Sequence, residues 1–266
     1  MDREPIVAGQ FYPGSKTELQ KKVAMYMDGT PGAKKTLLAM CPHAGYMFSG
    51  PVAGKTLSRA SLRNTIILLG PNHTGSGAEL AVWPDGSWSI PGAKIEVHHE
   101  LAEQTASLPG FEADYTAHLR EHSLEVILPF LAQIDTGITI VPVSVSSRDP
   151  ETVLMAGRDL AGLIRESGAN VSVVVSSDMS HYIPEDRARS LDKMALEQIL
   201  ALSAPGLLRT VVENRISMCG VLPMALGLEC ACGLGAEHAE VIAYSTSGEV
   251  LGDRDQVVGY AGVLVD

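Results

Sequence analysis

Three histidines in this chain each follow a short apolar run. His43 lies in Pro42-His43-Ala44-Gly45-Tyr46, after Leu37-Leu38-Ala39-Met40-Cys41. His73 lies in Pro71-Asn72-His73-Thr74-Gly75, after Ile66-Ile67-Leu68-Leu69-Gly70. His181 closes Asp178-Met179-Ser180-His181, after Val173-Val174-Val175-Ser176-Ser177. A lone loop histidine usually does no more than bond a backbone carbonyl. Three at equivalent positions are different, because parallel strands deliver the loops that follow them to one sheet edge. Imidazole is the commonest metal ligand and the commonest general base, so the pattern points to a metal or acid–base site. Asp178 and His181 read either as a helix cap beside a surface histidine or as a proton-transfer pair. In the second reading His181 is the base, and Asp178 holds its tautomer or reaches a ligand.

Cys219, in Ile216-Ser217-Met218-Cys219-Gly220, stands where a polar turn leads into the apolar stretch Val221 to Leu228. A helix start favours the thiolate, which suits a metal ligand or redox thiol; a small buried hydrophobe is the competing reading. Cys230 and Cys232 have a single residue between them, not the two of a redox or zinc pair, and read as core or idle thiols. His118-Leu119-Arg120-Glu121-His122 matches H-x-x-E-H, the inverted zinc-protease signature, which on a helix sets two histidines one turn apart around a general base. The favoured alternative has His122 lining or supporting the crevice and His118 solvated. Ser49-Gly50-Pro51-Val52-Ala53-Gly54-Lys55-Thr56 is one residue from a P-loop. Ser49 replaces its first glycine and Pro51 removes an N–H from the cradle, so nucleotide hydrolysis is rejected. The absence of G-x-S-x-G, of a post-strand G-x-G-x-x-G and of Cys-x-x-Cys weakens esterase, dinucleotide-enzyme and zinc-ribbon readings.

The elements that must position these residues follow from pattern. Strand-like runs are Thr36 to Cys41, Thr65 to Gly70, Ile138 to Val145, Val171 to Ser177, Ala239 to Ser245 and Val257 to Val265. Helical spacing covers Lys16 to Met27, with Ser15 and Glu18 as a capping box, then Pro51 to Ala60, Ser123 to Ile134, Pro150 to Ser167 and Pro184 to Leu202. Near-continuous apolar strands alternating with helices predict a three-layer α/β/α sandwich around a largely parallel or mixed sheet. Ligands in such sheets bind beyond the carboxyl ends of the strands. No repeat or linker divides residues 1–266, so one domain is expected.

Composition narrows the partners. With 20 Lys and Arg against 31 Asp and Glu, the net charge is -11, and no basic run exceeds Lys34-Lys35. Nucleic acid is not an expected partner. The start lacks a signal-peptide pattern and no apolar stretch is long enough to span a bilayer, which predicts a cytoplasmic protein without membrane contact. Four cysteines in 266 residues are too few for a disulfide scaffold.

Five ordered motifs carry a resemblance to a known family. They are Pro42-His43-Ala44-Gly45-Tyr46 with Ser49-Gly50; Gly70-Pro71-Asn72-His73; Glu121-His122-Ser123-Leu124-Glu125 with Leu128-Pro129-Phe130; Ser177-Asp178-Met179-Ser180-His181-Tyr182; and Met218-Cys219-Gly220. Together they resemble the Memo (mediator of cell motility) family, whose prokaryotic members are called AmmeMemoRadiSam system protein B. The likeness runs from Val7-Ala8-Gly9-Gln10-Phe11-Tyr12-Pro13 to Gly259-Tyr260. That family is similar to class III extradiol dioxygenases, non-haem iron enzymes with two histidines and a glutamate on Fe(II). The resemblance implies His43 and His73 as metal ligands and Cys219 in place of the glutamate. It also implies His181 with Asp178 as the acid–base pair, and His122, Tyr46, Asn72 and Glu125 around the pocket. The resemblance implies Fe(II) or copper, with zinc as an alternative; a thiolate keeps the carboxylate's charge but is softer and can itself be oxidised, and binding strength alone favours copper over iron. The implied activity is oxidation or oxygenation of a small dihydroxy-aromatic-like substrate. Peptide binding in the same crevice is the alternative and a zinc protease a weaker one. A functional link to a radical SAM protein is also implied, and the oligomeric state stays open.

Overall fold

The computed structural model describes residues 1–32, 35–168 and 170–266, so Lys34 of the basic pair lies outside the described residues. The strands are β1 (Leu38–Cys41), β2 (Thr65–Pro71), β3 (Leu80–Val82), β4 (Ser87–Ile90), β5 (Ala93–Val97), β6 (Phe111–Ala113), β7 (Thr139–Val145), β8 (Val171–Ser176), β9 (His181–Ile183), β10 (Ala239–Thr246) and β11 (Val257–Val265). The helices are α1 (Lys16–Tyr26), α2 (Gly50–Arg59), α3 (His99–Ala106), α4 (Leu128–Ile134), α5 (Pro150–Ser167), α6 (Glu185–Leu200), α7 (Ala204–Asn214), α8 (Val221–Gly233) and α9 (Gly248–Leu251). Each apolar run expected to be a strand forms one, and each expected helix is present within a few residues. Helix α4 is the exception: its predicted first turns, from Ser123, are a loop and a short 3₁₀ turn over Glu125–Ile127. Ser15 caps α1, its Oγ accepting from Glu18 N and donating to the Glu18 carboxylate at 2.9 Å.

Among the described residues the sheet runs β10-β11-β1-β8-β2-β7-β3-β6. Its centre, β1-β8-β2-β7, is parallel throughout, and antiparallel β11 and β10 extend one side. The four central strands are buried on both faces, as unbroken apolar runs require. Helices α5, α8, α7 and α6 cover one face and α1, α2 and α4 the other, giving the three-layer α/β/α arrangement. The short β3 to β6 escaped the sequence reading because three to five residues carry too little periodicity.

Register aligns the strand ends. Cys41 pairs with Ser176, and Leu69 with Val175, so the chains leaving β1, β8 and β2 emerge side by side. Two glycines permit further elements to close over that edge. A Cβ on Gly220 would fall on the Ser177 side chain and 2.7 Å from the Ser176 carbonyl oxygen, so only glycine lets the start of α8 reach the end of β8. A Cβ on Gly70 would lie 2.5 Å from Leu124 Cδ2 and 2.9 Å from Ser123 Oγ, so glycine admits the Ser123-Leu124 segment against β2. The near P-loop has another purpose: Gly50 and Gly54 of α2 receive Tyr26 of α1, and Ser49 Oγ donates to Ala44 O at 2.7 Å. Among the described residues no helix is long and apolar enough to cross a membrane.

Candidate metal centre

His43, His73 and His122 meet at this edge, each with a ring nitrogen within 4.8 Å of the others. Ring centroids lie 5.3 Å apart for His43 and His73, 5.6 Å for His43 and His122, and 5.0 Å for the stacked His73 and His122. His43 is buried, His73 exposed and His122 intermediate, so the group opens from the sheet toward solvent.

Hydrogen bonds fix which nitrogens are free. Ser176 Oγ donates to Ser123 O at 2.6 Å, which commits its proton. It must therefore accept from His43 Nδ1, 2.7 Å away, leaving the Nε2 lone pair unprotonated. His73 Nδ1 lies 3.0 Å from Glu121 Oε1, so it too carries the proton and frees Nε2. Glu121 further accepts from His73 N and Ser123 N, and its Oε1 lies 3.5 Å from His122 Nδ1. A carboxylate or hydroxyl behind each imidazole is the support that metal-ligating histidines use.

Electrostatics favours neutral rings where the site is deepest. Burial lowers the His43 pKa well below its ordinary value, and the neighbouring His73 and His122 lower it further. His122 is also lowered by burial. Burial opposes protonation of His73, but the bond to Glu121 and its charge outweigh it, so the pKa rises. Burial likewise opposes ionisation of Glu121, yet the bonds from His73 and Ser123 bring it down to about 2. Glu121 thus favours its anionic form behind the two outer rings.

Cys219 touches the group at one point, its Sγ 3.5 Å from His43 Nε2. The backbone N–H of Asp178 donates to the sulfur at 3.2 Å. Burial, then the Asp178 charge, raises the thiol pKa, so without a cation the sulfur holds its proton. Asp178 accepts from His43 N at 2.8 Å, and burial raises its own pKa. Its 4.0 Å approach to His43 Nε2 is therefore not an ion pair, since burial disfavours the charged form of both groups. His181 donates from Nδ1 to Ser217 O at 2.8 Å, and Ser217 Oγ accepts the His181 backbone N–H. The Ser217 carbonyl, and not Asp178, bonds its ring.

The other expected pocket residues have different surroundings. Tyr46 is buried against Tyr12 and Phe130 and donates to Val126 O at 2.8 Å. Asn72 shapes the loop that carries His73: its Oδ1 accepts from Thr74 and Gly75, and its Nδ2 donates to Ser76 O. Glu125 holds the N-terminal segment, accepting from Arg3, Ile6, Val7 and Tyr12. The zinc-protease reading fails on geometry. Residues 118–122 are not helical, and His118, expected to be solvated, is fully buried between Trp83 and Trp88 with Nε2 on Ala81 O. Glu121, Ser176 and Ser217 orient the rings, a role that no motif in the sequence marks.

A family model described as Memo-like protein matches residues 3–264. A MEMO1 family protein of Methanosarcina barkeri is 41% identical over 99% of this chain and 100% of its own. One from Aquifex aeolicus is 39% identical over 98% of each. A solved structure of an uncharacterized Escherichia coli K12 protein, 13% identical, covers 87% of this chain and 100% of its own with a TM-score of 0.57, a likeness of fold alone. Matched over nearly its full length, the chain belongs to the Memo-like family.

Proposed function

We propose that His43, His73 and Cys219 hold a metal, Fe(II) or copper foremost and zinc as an alternative. The centre would act as a dioxygenase-like oxidoreductase on a small dihydroxy-aromatic-like substrate. The observation that carries the reading is the convergence of three imidazoles, two of which, His43 and His73, commit their Nδ1 protons to Ser176 and Glu121 and so keep Nε2 unprotonated. A metal held there supplies Lewis acidity and open positions for O2 and substrate oxygens. The chain supplies the rest. His181, with Nδ1–H on the Ser217 carbonyl, offers Nε2 to take a substrate hydroxyl proton. Asp178 positions His43 and Cys219 through its backbone and carboxylate bonds. Cys219 must give up its proton to bind, so a cation has to compensate its burial. A reducing cytoplasm, which keeps that thiol free, and a functional link to a radical SAM protein belong to the same reading.

Bound Fe, Cu and Zn should be measured after anaerobic loading with Fe(II) or Cu(I). Wild type is expected to carry stoichiometric metal and His43→Ala to lose it; a metal-free wild type defeats the reading. Metal that binds while no O2 is consumed against a panel of catechols and related diols would favour peptide binding in the same crevice.

A further inference from the structure

We infer that His122 is a ligand of this centre, which therefore has two donor sets sharing His43 and His73: an all-imidazole set completed by His122 and a thiolate set completed by Cys219. The inference rests on the metal reading above and concerns how the chain sorts one metal from another.

His122 shares the position of the other two rings. A nitrogen of it lies in the mutual 4.8 Å group with His43 and His73. Its Nδ1 lies 3.5 Å from the Glu121 oxygen that bonds His73 Nδ1 at 3.0 Å, so the same carboxylate stands behind both rings. Its orientation is fixed: it stacks on His73 at 19° and packs on Phe11 at 4.8 Å between centroids. Its neighbour Ser123 is anchored by a bond from Oγ to Pro71 O at 2.9 Å, which ties the His122 loop to the His73 loop. Cys219 is attached differently. Its sulfur contacts His43 Nε2 and is held by Asp178 N, so His43 is the ligand both sets share by contact, one through the ring cluster and one through the sulfur.

The two sets differ in charge and softness. Three neutral imidazoles leave the full charge of a divalent ion and suit zinc or Fe(II) with open positions. Adding Cys219 removes one unit of charge and adds a soft donor, which suits Cu(I). When Cys219 enters, its S–H bond breaks, a sulfur–metal bond forms and the proton leaves to solvent; no electron is transferred. The all-imidazole set binds without that proton loss.

Co(II) alone is a suitable probe, because a thiolate ligand gives it a sulfur-to-cobalt absorption that imidazole does not. Cys219→Ser is expected to keep Co(II) within about ten-fold of wild-type affinity and to lack that absorption. Adding His122→Asn to Cys219→Ser should weaken binding at least about ten-fold, the lower end of what loss of even an outer partner costs. His122→Asn alone should keep the sulfur absorption. His122→Gln serves as a second variant, and an unchanged melting midpoint separates loss of a ligand from misfolding. Equal Co(II) affinity of Cys219→Ser with and without His122→Asn overturns the inference and leaves the metal reading standing. Failure of wild type itself to bind, indistinguishable from His43→Ala, defeats the underlying reading instead.

Discussion

Glu121 and Glu125 stand one helical turn apart in sequence and are equally buried, yet they serve different regions. Glu125 lies 2.8 Å from the Arg3 guanidinium and accepts from Ile6 N, Val7 N and the Tyr12 hydroxyl, so its charge is neutralised where it sits. Glu121 spends its oxygens on His73, Ser123 and the edge of His122. Arg3 touches only its backbone carbonyl, with the remaining guanidinium donor on His118 O. A buried carboxylate matched to a guanidinium fastens the N-terminal segment; one matched to imidazoles sets their tautomers. Burial alone does not distinguish scaffold from site, and the partners do.

The largest effect that tests this contrast is on stability. Glu125→Ala strands a guanidinium that is 2% exposed and leaves two backbone N–H groups and a tyrosine hydroxyl without their acceptor. Denaturant unfolding should show a loss of about 3–5 kcal/mol, the usual result of removing half a buried pair. Metal bound per folded molecule should not change. If Glu125→Ala keeps its stability and loses metal, Glu125 belongs to the centre and the contrast is void.

His118 sharpens the same division between scaffold and site. Burial lowers its pKa from 6.5 to about 4. A histidine depressed in the folded state contributes stability that is present in full above its unfolded pKa and is lost as pH falls toward the folded one. Between pH 6.5 and about 4 the unfolded chain takes up a proton that folded His118 refuses. Unfolding free energy should fall by about 3 kcal/mol across that window. In His118→Phe the slope should flatten while metal binding persists. Loss of zinc in that variant would revive the H-x-x-E-H reading against the buried geometry.

The sequence carried the parallel centre of the sheet because Val173-Val174-Val175 and Ile66-Ile67-Leu68-Leu69 are apolar without alternation, which only strands buried on both faces need. It carried His43 and His73 to one place because strand ends in such a sheet share an edge. The place of His122 was less legible, since the loop from Glu121 to Leu124 reaches β2 only through the space left at Gly70, and no periodicity encodes that approach. Ser176 was visible in principle. A serine closing a run of valines in a buried strand needs a partner for its hydroxyl, and that need was a signal for the site. Glu125 and Tyr46 share motifs with the clustered histidines, yet they bond Tyr12 and the Val126 carbonyl, respectively. Motif membership does not separate a residue that lines a site from one that braces its wall.

The smallest effect is the most discriminating. Glu121→Gln keeps the shape but has one acceptor where the carboxylate has two, and the His73 backbone N–H and His73 Nδ1–H occupy different oxygens. Whichever way the amide turns, one donor faces an NH₂ group, and the negative charge behind His73 and His122 is gone. Metal affinity, read by titration against a competing chelator, should fall about 10–100-fold, as loss of an outer carboxylate partner does elsewhere. The cost to folding should be about 1–3 kcal/mol, less than for Glu125→Ala, because no cation is stranded. An unchanged affinity together with a stability loss matching that of Glu125→Ala would mean that both carboxylates are scaffold. The tautomers of His73 and His122 would then have to be set by the metal itself.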